Sequence, residues 1–215
     1  MSETATSYLD NTTIASGKKA WGKTFPVPPQ FKNALKLTFE INFAPGFSFD
    51  DGPTDARGKV GGIFIGEGAA SGCSHSEAAS LRLMWDHGRT AQAYTYIPTS
   101  SRGKQPDFVN KIGNPKCGLH IWRDDFRGIF KNTGTWNTVT LGVYLNTVGK
   151  NDGKIYMSIV TNERTLTKES GGFIWRNKDW PITSISFNSF FGGDQNMRRV
   201  KPSTFQIRNI RVSSY

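Results

Sequence analysis

Apolar and polar positions alternate over short stretches of this chain, Gly, Asn, Asp and Pro interrupt it at short intervals, and no segment keeps a helical period. That pattern predicts an all-β protein with strands over 35–43, 61–65, 80–85, 91–97, 136–145, 154–161, 182–191 and 204–212. Asn151-Asp152-Gly153 joins two of these runs with residues that tolerate positive φ. The polar stretch 99–116 reads as a loop of the length that often carries function. Residues 1–20 are rich in Ser and Thr with few apolar anchors and read as a loosely held arm, ahead of a single domain over 21–215.

One hairpin carries more information than the rest. In Ser80-Leu-Arg-Leu-Met-Trp85 the odd positions Leu81, Leu83 and Trp85 are apolar and the even ones, Ser80, Arg82 and Met84, are mostly polar. In Ala91-Gln-Ala-Tyr-Thr-Tyr-Ile97 the small and aliphatic residues are again odd, with Gln92, Tyr94 and Tyr96 even. A turn over 86–90 pairs residue 85 with 91, so Arg82 faces Tyr94 and Ser80 faces Tyr96. A turn one residue shorter sets the apolar side of one strand beside the polar side of the other, so burial selects the odd length. Taken alone, Tyr and Arg on a sheet face are equally an ordinary stabilising stack.

Charge sharpens the picture. The 215 residues hold 27 Lys plus Arg against 17 Asp plus Glu, a formal charge of +10 and a pI near 9.7, which draws in polyanions. Acidic glycans, nucleic acids and anionic membranes all answer that description. No apolar run reaches the ~20 residues that span a bilayer, and residues 1–20 lack the apolar core of an export signal. Cys73 and Cys117 permit one disulfide without requiring it.

The run Ser80 to Trp85 followed by Tyr94-Thr-Tyr-Ile-Pro98 closely resembles the corresponding hairpin of polysaccharide lyase family 14, which includes alginate lyases and glucuronan-cleaving lyases. Gly58-Lys-Val-Gly-Gly62 with Ser71-Gly-Cys73, the stretch from Trp136 through Gly153, and Phe190-Phe-Gly-Gly193 resemble further pieces of that family in the same order. Together they run from about Phe39 onward. The resemblance implies a β-jelly-roll sandwich of two antiparallel sheets, whose concave face holds the glycan. It also implies an active group of Lys59, Ser80, Arg82, Tyr94 and Tyr96. Gln92 on the same face, His87 and Arg89 in the turn, and Gln195 in the basic segment 192–201 are read as substrate-binding.

Such a group suits β-elimination from a uronate, in which the C5 proton leaves and the sugar at C4 is expelled. Negative charge builds at the adjacent carboxyl group, and Arg82 or Lys59 can hold it. Base and acid are drawn from Lys59, Tyr94 and Tyr96, the tyrosine pKa values being expected to fall beside the cations. His75, His87 and His120 titrate nearer neutrality and are further candidates, but lack metal-ligand spacing with each other or the cysteines, so no metal or cofactor is expected. The substrate expected is an acidic polysaccharide, met outside a cell or on a wall by a monomer, without nucleic acid and without a membrane span. Three other functions compete. A glycoside hydrolase needs two carboxylates across the bond, and Asp124-Asp125 points adjacent acids to opposite sides if extended. A lectin for acidic glycans uses the same basic, aromatic face without cutting. A single-strand nucleic-acid binder shares that composition, but no nucleic-acid-binding motif appears in the sequence.

Overall fold

The computed structural model describes residues 4–9, 22–49, 57–67, 77–101, 103–110, 118–191 and 202–215. Two antiparallel sheets pack face to face as a jelly-roll sandwich. The first contains β1 (Ala5–Leu9), β3 (Ala34–Phe43), β8 (Asn137–Tyr144), β9 (Gly153–Val160), β10 (Thr165–Phe173) and β13 (Ser203–Ser213), in the order β1-β13-β3-β8-β9-β10. The second contains β2 (Gly22–Pro26), β4 (Gly58–Ile65), β5 (Ala79–Asp86), β6 (Thr90–Tyr96), β7 (Leu119–Ile121) and β11 (Ile182–Asn188), in the order β2-β11-β4-β5-β6-β7, with β12 (Phe190–Phe191) pairing to β4.

The core lies between the sheets and follows the alternation. Leu35, Leu37, Phe39, Ile41 and Phe43 of β3 point inward, and each contributes about 2 kcal/mol of gross burial energy. They meet Leu81, Leu83 and Trp85 of β5 and Phe187 of β11 in one cluster. Phe39 and Phe187 stack edge to face at 5.2 Å, and Phe43 packs among Phe47, Phe49, Trp85, Phe130 and Phe205.

Each stretch expected to be a strand contains one, with three changes. The strand expected over 61–65 begins three residues earlier, at Gly58. The run 182–191 is broken at Ser189 into β11 and β12. The hairpin turn is His87-Gly88-Arg89, because Asp86 pairs with Thr90 and the strands extend one pair beyond the expected 85–91. Gly88 and Arg89 take φ of 64° and 56°, and Phe130 N–H donates to the Arg89 carbonyl at 3.0 Å. The expected register survives, since removing one residue from each side keeps the loop odd. β1, β2, β7 and β10 are additional strands. Of the expected arm, Ala5–Leu9 pairs with β13 along its length. Of the loop 99–116, the described part holds two single-turn helices, a 3-10 turn at Thr99–Ser101 and an α-helical one at Asp107–Asn110. Among the described residues no helix is long and apolar enough to cross a membrane.

Candidate active site

The outward side of the second sheet is where polar residues gather, and hairpin register decides which ones. Ser80 is paired with Tyr96, Arg82 with Tyr94 and Met84 with Gln92, so all six share a face. β7 extends it, placing His120 opposite Tyr94. Each β5 and β6 residue is buried, on this face as well as on the inner one. Two-sided burial is unusual for a sheet that carries Arg, Gln and Tyr on one side.

Lys59 reaches this face through an irregularity. Ile63 and Ile65 of β4 point inward, and strict alternation would send Lys59 inward with them. Between Lys59 and Gly61 the register with β5 shifts by one, so Lys59 lies opposite Met84 while Gly61 lies opposite Leu83. The extra residue, Val60, turns into the core and Lys59 is rotated outward, as a β-bulge does. The glycines around it make room. A Cβ on Gly62 meets the Leu81 carbonyl oxygen at 1.9 Å, and one on Gly58 meets the Trp85 ring at 2.0 Å. On the other flank β12 brings Phe190 opposite Lys59.

The side chains then converge. The Lys59 ammonium donates to the Tyr96 hydroxyl at 3.1 Å, and the Tyr94 hydroxyl donates to the same oxygen at 3.2 Å. The ammonium lies 4.5 Å from the Tyr94 ring centre, 5.3 Å from Tyr96 and 5.2 Å from Phe190. The Arg82 guanidinium sits 4.6 Å from the Phe64 ring and 5.5 Å from the Tyr96 ring. Lys59, Arg82, Tyr94 and Tyr96 are each less than a tenth exposed, and Ser80 is fully buried beneath them.

Electrostatics correct one expectation. Tyr94 does not fall: burial pushes its hydroxyl far above the usual phenol value, the neighbouring Tyr96 adds to that, and the pull of Arg82 and Arg57 is the smaller effect. Tyr94 is therefore held as a proton donor. Burial also lowers Arg82 from its usual value, against an opposing influence from Tyr96 and Tyr94.

A second group adjoins the first. Asp86, fully buried at the end of β5, accepts from the Arg123 Nε at 2.7 Å and from the His87 backbone N–H at 2.8 Å, and lies 3.9 Å from the Arg57 Nε. The Gln92 amide nitrogen donates to Asp86 at 3.2 Å, and its amide oxygen lies 2.8 Å from the His120 Nδ1. Gln92 is thus engaged at both ends. His87 stands in the turn, against Asp86 and Arg123. Arg89 donates to the Lys131 carbonyl at 2.6 Å, at the tip of the hairpin and apart from the tyrosines. Gln195, His75, Cys73 and Cys117 lie outside the described residues. Asp124 and Asp125 occupy a turn, where Asp124 pairs with Arg127 and Asp125 with Lys168, so they do not flank the face as a carboxylate pair. Sequence reasoning kept His120 only as a further candidate base, without setting it beside the tyrosines, and gave Asp86 no place in the site. Their signal was spatial, since β7 is three residues long and its neighbour on the sheet is set by pairing alone. Among the described residues no group of three His, Cys, Asp or Glu is placed to hold a metal ion.

Comparison with known proteins supplies the family and the fold. The family described as Polysaccharide lyase 14 matches residues 3–204. Exolysin of Paramecium bursaria Chlorella virus 1 is 28% identical over 240 residues, covering 100% of this chain and 35% of that protein. The chain thus spans about a third of the length of that relative. The alginate lyase vAL-1 from a Chlorella virus superposes with a TM-score of 0.80 at 26% identity, over 100% of this chain and 90% of the other. A PL-14 alginate lyase from Aplysia kurodai superposes with a TM-score of 0.81 at 24% identity, over 98% of this chain and 82% of the other, which bears on the fold.

Proposed function

This chain belongs to the polysaccharide lyase 14 family, and on that footing we propose that it cleaves an acidic, uronate-containing polysaccharide of the alginate type by β-elimination, as a monomer. The observation that carries the reading is the meeting of Lys59, Tyr94 and Tyr96 at one oxygen, with the Arg82 guanidinium beside it. Two donors aimed at the Tyr96 oxygen, under a nearby guanidinium, favour negative charge on that atom. Tyr96 then takes the proton from C5. The electron pair of that C–H bond forms the C4–C5 double bond as the C4–O bond breaks. The departing oxygen collects a proton from Tyr94, which is held as a phenol, or from the Lys59 ammonium. Arg82 grips the carboxylate whose charge grows along the way, a contact worth several kcal/mol in a water-poor groove. Ser80 supports this face from beneath.

The experiment is ultraviolet absorbance of newly formed unsaturated uronate ends, across polymannuronate, polyguluronate and glucuronan. Absorbance should rise with at least one of these polymers. Binding of all three without any rise makes the protein a lectin for acidic glycans and ends the enzymatic reading. A single monomeric species in sedimentation, with and without oligosaccharide, is expected.

A further inference from the structure

The chain of contacts from Asp86 to His120 has a chemical direction. A carboxylate only accepts hydrogen bonds, so the end of Gln92 that faces Asp86 at 3.2 Å is its NH2 group. The other end of the same amide is then its oxygen, which also only accepts, and it faces His120 Nδ1 at 2.8 Å. Nδ1 must therefore carry the ring proton. Asp86 fixes the amide, the amide fixes the tautomer, and the remaining nitrogen, Nε2, is left with its lone pair. Nε2 has no hydrogen-bond partner among the described residues. The ring itself stands on the site face, opposite Tyr94 in the register and edge-on to it at 4.9 Å between centres.

We infer that His120 is a substrate-binding residue of the lyase, a neutral imidazole whose Nε2 accepts a hydrogen bond from a hydroxyl of the bound uronate, and that Gln92 and Asp86 are positioning residues that enforce this tautomer. The inference rests on the proposed lyase site, which it extends by one strand. Its surroundings keep the ring uncharged: burial first, then the Arg57, Arg123 and Lys59 cations, overcome the opposing pull of Asp86 and bring its pKa from 6.5 down to about 4. In a face of cations that hold carboxylates, an acceptor that stays neutral serves a different part of the sugar. Hydroxyl orientation is what distinguishes one uronate from another, so His120 sits where that distinction can be read.

Two measurements test this. In the first, a two-bond proton–nitrogen correlation spectrum of the Lys59→Ala variant reports the ring nitrogens of His120 without turnover. Nδ1 should appear protonated and Nε2 bare, and titration with an alginate tetrasaccharide should shift Nε2 and leave Nδ1 in place. In the second, His120→Phe keeps the ring against Tyr94 and removes both nitrogens. Its kcat/KM should fall about tenfold, the worth of one neutral hydrogen bond near 1.4 kcal/mol. Gln92→Leu should give a mixture of tautomers in the spectrum. Added to His120→Phe, it should cost nothing further, since both act through one atom. A proton found on Nε2, an Nε2 resonance indifferent to the saturating sugar, or a His120→Phe enzyme within twofold of the parent while Lys59→Ala is inactive would each overturn the inference. The last outcome leaves the lyase reading standing. Absence of unsaturated product from the parent protein ends that reading instead, and the spectrum still reports the tautomer.

Discussion

Two lysines of this protein lie over pairs of tyrosine rings, one on each sheet, and they are nearly alike in composition. Lys59 sits 4.5 Å and 5.3 Å from the Tyr94 and Tyr96 ring centres, and Lys36 sits 4.2 Å and 5.0 Å from those of Tyr156 and Tyr215. Each group even uses a glycine to admit a ring: Gly118 leaves room for the Tyr94 hydroxyl, and Gly142 leaves room for Tyr215. The surroundings differ. Around Lys59 the extra charge is the Arg82 guanidinium and the face is buried, whereas the Lys36 group borders Glu169 and the exposed ring of Tyr144. Burial first, and then Glu169, push the Tyr215 hydroxyl up, so that phenol resists losing its proton, and Glu169 is itself paired with Lys154 at 3.8 Å. On the proposed reading, the same residue types make a site for a sugar acid on one sheet and a stabilising stack on the other. Burial separates them, together with the unlike neighbours, a guanidinium beside Tyr96 and the Lys154–Glu169 pair beside Tyr215.

The largest expected difference is therefore in turnover. Lys59→Ala and Tyr96→Phe should each lower kcat by about a thousandfold, in the range of losing a proton-transfer partner or a preorganised donor. Lys36→Ala and Tyr156→Phe should leave kcat within twofold. Initial rates of unsaturated-uronate formation check this, with thermal melts to establish that the variants fold. Comparable losses from both sheets would erase the comparison.

Next in size is the cost of removing the bulge's clearance. Gly62→Ala brings a methyl group to 1.9 Å from the Leu81 carbonyl and 2.7 Å from the Arg82 Cα, both backbone atoms that cannot rotate away. A loss of about 3 kcal/mol in urea unfolding is expected. Gly142→Ala, which meets the Tyr156 Cβ at 2.9 Å and the movable Tyr215 ring at 3.0 Å, should cost less.

The bulge also marks where the sequence stopped being legible. Alternation alone fixes the strands of both sheets that bury one face, and for 80–97 it gives the register residue by residue, because a slip of one position would bury Arg82 and Gln92 in the core. It assigns Lys59 to the wrong face. Only the resemblance of Gly58-Lys-Val-Gly-Gly62 to a known family put Lys59 with the tyrosines, and the inserted Val60 supplies the physical reason. β10 was invisible because its side chains are mostly exposed and interrupted by Gly171 and Gly172, leaving no apolar period to read. The fall expected for the tyrosine pKa values failed for Tyr94 because sequence shows which cations are near but not how dry the place is.

A pH effect separates the two sheets further, since the Lys59 face holds His120 and the Lys36 group holds no histidine. His120 titrates at 6.5 when unfolded and about 4 when folded, so the unfolded chain takes up a proton first as the pH drops. Its contribution is complete above 6.5, is lost progressively between 6.5 and about 4, and levels off below. Allowing for partial exposure, the total is about 2 kcal/mol. Unfolding free energies of the parent and His120→Phe at pH 7 and pH 4.5 check it: the parent should lose more. Equal losses would show that the ring is as well hydrated folded as unfolded.

A subtler perturbation reaches the site without touching a reactive group. A Cβ on Gly118 falls 2.2 Å from the Tyr94 hydroxyl, which is the far end of a side chain and can swing aside. Gly118→Ala should therefore lower stability by no more than about 1 kcal/mol. Displacing that hydroxyl from the Tyr96 oxygen by a fraction of an ångström should nonetheless lower kcat by about tenfold, because proton transfer depends steeply on reach. Unchanged kcat would mean that Tyr94 is not in the transfer path.

The smallest effect belongs to the Lys36 group itself. Its ammonium over Tyr156 and Tyr215 is partly exposed, a setting in which a cation–π contact contributes about 0.5 kcal/mol. Lys36→Met keeps the aliphatic stem on the rings and removes the charge. Its urea midpoint should drop slightly, and its affinity for an alginate tetrasaccharide should match the parent's, because β3 and Lys36 belong to the sheet opposite the proposed sugar site. If that substitution weakened binding severalfold, the sheet opposite the site would hold sugar as well, and burial would no longer be what distinguishes the two faces.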